Sequence, residues 1–142
     1  MKYTEFYPPT GKMITNVSFK FMHDYIIEKF KEYWSQGTGS AEIHYLENEF
    51  SATLSISVNL DYGFYFNYSN NKQDEKEKLS LFDFGKLNEI IEGIDDLEVS
   101  LGLFVPPIQA WEIIKFFLEK GQLSPQIKWI EPENLPENSK FY

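Results

Sequence analysis

Residues 50–60 alternate without a break. Phe50, Ala52, Leu54, Ile56, Val58 and Leu60 stand against Ser51, Thr53, Ser55, Ser57 and Asn59. Successive side chains of a strand point to opposite faces, so this pattern makes a ribbon with one apolar and one polar side. Such a strand belongs in an antiparallel sheet covered on one face. Its neighbours fit the same sheet. Asp61-Tyr62-Gly63 turns the chain into a second strand at 64–68, closing a hairpin. Residues 41–47 place Ile43 and Tyr45 on one face. Further strands are expected at 79–84, at 97–105 (where Leu97, Val99, Leu101 and Leu103 alternate) and at 126–130, with a short extended piece at 12–17.

Two segments have helical spacing. Ser18 is a suitable N-cap for a helix to about residue 35, with Phe19, Met22, Ile26, Phe30 and Tyr33 on one stripe. Pro106-Pro107 opens the second helix, and Gly121 ends it after Lys120. So few polar residues lie between these limits that deep burial is expected. Residues 85–97 fit either a helix, through Leu87, Ile90, Ile91 and Ile94, or an irregular strand entry. An irregular arm is expected at 1–12, around Pro8-Pro9-Thr10-Gly11, a polar loop at 69–78 and a tail at 131–142. Strands in a consecutive block between helices predict an α+β fold. The expected architecture is a single domain over 1–142, with a mainly antiparallel sheet of about five to six strands and two principal helices. A domain of this size buries about 70% of its unfolded surface, so it needs no disulfide or structural metal.

Composition removes whole classes of chemistry. The chain has no cysteine, which excludes thiol catalysis, disulfide frameworks and Cys-zinc sites. Its 13 basic residues are all lysines, set against 22 acids, for a net charge of −9. Nucleic-acid binding is not expected, because a polyphosphate calls for net positive surface and favours the arginine fork. Membrane binding is opposed by the same sign of charge. Residues 1–9 contain no apolar signal core, so the expectation is a soluble cytoplasmic protein. His23 and His44 have no metal-ligand spacing and are expected to be surface or structural residues. Nucleophile-elbow, phosphate-loop and calcium-loop motifs are absent, so neither cofactor nor metal is expected.

The acids are unevenly distributed. Residues 87–114 carry Glu89, Glu92, Asp95, Asp96, Glu98 and Glu112 without a lysine, and 32–71 carry five acids without a lysine. One account is a solvated face that maintains solubility. Another is a surface that attracts a basic partner and raises its association rate. The candidate partner-binding residues are Glu89, Glu92, Asp95, Asp96 and Glu98, with Tyr62 and Tyr65 as aromatic anchors.

The run from Leu103 to Trp129 adds a resemblance. A strand leads into a proline-started helix with a small residue and a Phe-Phe pair, then Gly, Pro and a Trp-bearing strand. The corresponding residues are Pro107, Ala110, Phe116, Phe117, Gly121, Pro125 and Trp129. This resembles the C-terminal signature of the first-numbered immunity-protein family of bacterial polymorphic toxin systems. The resemblance implies a small cytosolic protein that neutralises a cognate toxin by stoichiometric binding, with no catalytic residues of its own. The toxin would be basic, such as a nuclease or a nucleic-acid deaminase. Two other classes stay open: a small enzyme using convergent carboxylates, and a homodimeric adaptor or scaffold.

Overall fold

The computed structural model describes residues 1–72 and 77–142. The expected alternating strand is β4 (Phe50–Asn59), near the centre of an eight-stranded sheet. It pairs on one side with β3 (Ser40–Glu47) and on the other with β5 (Gly63–Asn70). Beyond β3 lie β1 (Lys2–Tyr7) and the two-residue β2 (Ile14–Thr15). Beyond β5 lie β6 (Lys78–Leu81) and β10 (Lys128–Ile130), while β9 (Phe104–Val105) pairs with the start of β5. A separate hairpin joins β7 (Ile90–Glu92) to β8 (Glu98–Ser100). Every pairing is antiparallel, as expected for an α+β chain with consecutive strands.

The strand count exceeds the expectation because short pieces join the sheet through tertiary pairing. The expected arm at 1–12 instead contains β1, which pairs with β3 over all six of its residues. Thr4 and Phe6 turn into the core, whereas Tyr3, Glu5 and Tyr7 face the other way. Residues 97–105 do not form one strand. β8 and β9 are separated by a single helical turn, Leu101–Leu103, in which Gly102 is packed so closely on the Asp83 carbonyl that no side chain fits. The ambiguous 85–97 segment is mainly the β7 side of the hairpin. Its apolar spacing reflects packing of Leu87 and Ile91 into a local cluster rather than a helix. The loop expected at 69–78 is described only in part, since 73–76 lie outside the described residues.

The first helix begins where Ser18 predicts it, the Ser18 hydroxyl accepting from the Phe21 amide at 3.0 Å. It is not continuous. α1 (Phe19–His23) leads into a widened π turn (Asp24–Glu28), followed by α2 (Phe30–Trp34). The extra residue in a π turn advances the phase of everything after it. Trp34, not Tyr33, therefore becomes fully buried, and its indole N–H donates to the Tyr25 carbonyl at 2.8 Å. α3 (Pro107–Lys120) has the predicted limits. It buries one stripe, Ala110, Ile113, Ile114, Phe117 and Leu118, at the spacing that places residues on one helix face. Ile108 is 71% exposed, so the helix is not buried all round as its composition suggested.

Both faces of the sheet carry a core. The helices cover one face, burying Phe6, Ile43, Tyr45, Leu54, Ile56, Val58, Phe64 and Phe66. On the opposite face a smaller cluster covers only the β5–β6–β9 end, from Tyr65, Leu79, Leu87, Val99, Leu103, Phe104 and Ile130. The rest of that second face, on β1, β3 and β4, is open except at Ser57, which is 2% exposed.

Gly121 adopts φ +65°, and a Cβ there would overlap the Tyr45 ring. Left-handed backbone costs a non-glycine residue about 1 kcal/mol, and the ring contact adds to this. Gly121→Ala should therefore lower stability by about 2 kcal/mol or more. Urea denaturation should show a lower midpoint with an unchanged slope.

Candidate functional site

The register lays out the open face in rows. Glu5 pairs with His44 and His44 with Thr53; Tyr7 pairs with Glu42 and Glu42 with Ser55; Ser40 pairs with Ser57 and Ser57 with Tyr65. All of these side chains point away from the helices. The His44 Nε2 lies 2.9 Å from Glu42 and its Nδ1 3.9 Å from Glu5, and the ring packs at 4.9 Å from that of Tyr7. Between this patch and the covered end of the sheet runs a groove of about 420 Å³. Its walls include Tyr7, Pro8 and Glu42, its floor Ser55 and Ser57, and its far end Tyr65, Asn67 and Tyr142.

One carboxylate organises the far end. Asp95 sits in the turn of the β7–β8 hairpin, and its Oδ2 accepts from the Ser40 hydroxyl at 2.6 Å, from Ser57 at 2.7 Å and from the Tyr142 phenol at 2.6 Å. Its Oδ1 accepts from the Leu97 amide at 3.1 Å. Gly93 makes this approach feasible, since a Cβ there would lie 2.7 Å from Asp95 Oδ1 and 3.1 Å from Ser57 Oγ. Burial by itself would raise the carboxyl's pKa. The hydrogen bonds from Ser40, Tyr142, Ser57 and the Leu97 amide outweigh it, so the pKa lies below the usual value. The phenol of Tyr142 moves the other way, raised chiefly by burial and then by its bond to Asp95. A carboxylate held ionised in this way is a fixed acceptor and is poorly matched to proton transfer near neutral pH.

The expected tail at 131–142 is ordered against this site. Backbone and side-chain bonds tie Lys140 to Ser100, and its ammonium pairs with Glu98 at 2.9 Å. Tyr142 then crosses the sheet, and its main-chain oxygen accepts from the Tyr65 phenol at 2.8 Å and from Asn67 Nδ2 at 3.1 Å.

The sequence candidates fall into distinct places. Glu89, Glu92, Asp96 and Glu98 are exposed along the 84–100 excursion, where Glu92 and Glu98 stand opposite each other in the hairpin. Asp95 turns inward instead and acts as an internal anchor. Tyr65 is 2% exposed, so it cannot serve as an exposed anchor; its ring supports the second core and its hydroxyl holds the tail. Tyr62 is exposed in the β4–β5 turn, beside a separate cavity lined by Phe82, Phe104, Pro106 and Pro107. Glu5, Tyr7, Glu42 and Tyr142 were not singled out from the sequence, and His44 was expected only as a surface or structural residue. Alternation in 2–7 and 41–47 gives the face of Glu5, Tyr7, Glu42 and His44, but only strand register brings these four together, and the tail's hydrogen bonds bring Tyr142 beside them. Among the described residues, no group of three or more His, Asp or Glu side chains is placed to hold a metal ion, and no helix is long and apolar enough to cross a membrane. No family model, curated protein or solved structure matches the chain.

The direction of each pKa change sets a pH response. Asp95 is depressed on folding, so its stabilisation is complete above the unfolded value of 3.8 and is lost as pH falls through the lower folded value. Tyr142 is raised, so the stabilisation by its neutral phenol is complete below 10.0 and is lost as pH rises through the folded value. Asp95→Asn should flatten the acid limb of stability against pH, and Tyr142→Phe the alkaline limb. Urea midpoints measured across pH test both, and an acid limb in Asp95→Asn as steep as the wild type's would contradict the network.

Proposed function

We propose that the chain is an immunity-type inhibitor, which neutralises a basic toxin domain in the bacterial cytoplasm by binding it through acidic surface. The carrying observation is the placement of Glu89, Glu92, Asp96 and Glu98 as exposed side chains on one excursion, docked beside an open sheet face that bears Glu5, Tyr7 and Glu42. Lys140 pairs with Glu98, and among the described residues Glu89, Glu92 and Asp96 have no ion pair. Unneutralised carboxylates on one side of a molecule steer a basic partner and orient it on arrival. Exposed tyrosines within the acidic face, Tyr3 and Tyr7 at 37% and 39%, supply rigid contact area of the kind that anchors interfaces. The C-terminal resemblance points to the same reading. Pro107 opens α3, Gly121 closes it, and the Trp129 indole donates to the Ser124 carbonyl at 3.0 Å across the Pro125 turn.

The mechanism needs no chemistry on this chain. The acidic face would cover the toxin's basic substrate cleft and exclude its polyanionic substrate by occupying the same charge. Co-expression with the toxin encoded next to it should restore growth, and failure to do so would sink the proposal. With the purified pair, combined Glu89→Lys, Glu92→Lys and Asp96→Lys should slow association about ten-fold or more at low salt. Screening should shrink that difference at high ionic strength. Equal rates at low salt would remove the excursion from the interface.

A further inference from the structure

Tyr142 is received by groups that belong entirely to other parts of the chain. Its phenol oxygen lies within hydrogen-bond reach of Asp95 and Ser57, its ring packs edge-on against Tyr65 at 5.8 Å, and its main-chain oxygen accepts from Tyr65 and Asn67. Phenol, ring and backbone are each matched. The key acceptor is set in place independently of the tail, because Ser40, Ser57 and the Leu97 amide already hold the Asp95 carboxylate. The occupant itself is only half covered, with Tyr142 41% and the preceding Phe141 39% exposed. On its open side the groove continues past Ser55 to Glu42 and Tyr7.

The geometry points to a tyrosine-recognition site on the open sheet face, filled in cis by Tyr142 and open to a tyrosine of a partner polypeptide when the tail lifts. Phenylalanine is a poor substitute, since it would bury part of the Asp95–Ser57 pair without its donor. A free phenol would forgo the Tyr65 and Asn67 donors, which select for a main-chain oxygen at a fixed distance from the ring. The site does not depend on the inhibitor reading, because its contacts are within the chain and its ligand can be supplied as a small probe.

The test uses the full chain carrying Tyr142→Ala, with N-acetyl-tyrosinamide as the probe, followed by calorimetry and by amide shifts at Ser57, Asn67 and Leu97. The variant should bind the probe at least about ten-fold more tightly than the wild type, whose own tyrosine competes. N-acetyl-phenylalaninamide should bind about ten-fold more weakly than the tyrosine probe. Adding Asp95→Asn should reduce that preference to near unity. Tyr142→Phe keeps the ring and serves if the alanine variant does not fold; its weakened tail should yield to the probe more readily than the wild-type tail. Equal binding of the two probes, or no binding by a folded variant, would overturn the assignment.

Discussion

The pleat of β4 is the constraint on which the other parts depend. Ala52, Leu54, Ile56 and Val58 must leave water, and the helices supply the surface that accepts them. Once that face is committed, Thr53, Ser55 and Ser57 are forced onto the opposite one, together with the outward residues of β1, β3 and β5. Small hydroxyl side chains leave that face low, and the neighbouring strands supply the taller Tyr7, Glu42 and Tyr65. The groove is thus a consequence of core formation, shaped by the size difference between the serine row and its flanks.

The second face is only partly closed, and the closure is polar where it meets the groove. The excursion from 84 to 103 packs Leu87, Val99 and Leu103 over Tyr65 and Leu79, then delivers Asp95 to the ends of β3 and β4. A half-buried carboxylate is costly unless several donors reach it. Two serines, one amide and the Tyr142 phenol do so. Hairpin, sheet and tail therefore meet at one charge. The same junction keeps one carboxylate of the acidic run out of the outer surface while its neighbours stay in water.

How much of this was legible depends on the range of the interaction. β4, its hairpin with β5, and both ends of α3 follow from local rules: alternation, a turn containing glycine, proline at a helix start and glycine at its end. β1 was less legible, since Thr4 and Phe6 alone face the core and the Pro-Gly run after it suggests irregular chain. The interrupted first helix was hidden because a π turn changes the phase of a stripe without changing its composition. The site was the least legible part. Ser57 and Asp95 are 38 residues apart and Tyr142 lies 47 beyond Asp95, so no local pattern links them.

The sequence by itself determined a cysteine-free, arginine-free α+β chain with a one-sided central strand, two capped helical segments and acids concentrated away from its lysines. Those properties reside in composition and in periods of two and near four residues, which hold wherever the elements finally pack. Tertiary structure decided which acids face water and which becomes an anchor, and it turned an expected tail into one end of a groove. The physical reason is that a carboxylate's role is set by the donors around it. Here those donors come from β3, β4, the hairpin's own Leu97 amide and Tyr142, brought together only by strand register and by the second core.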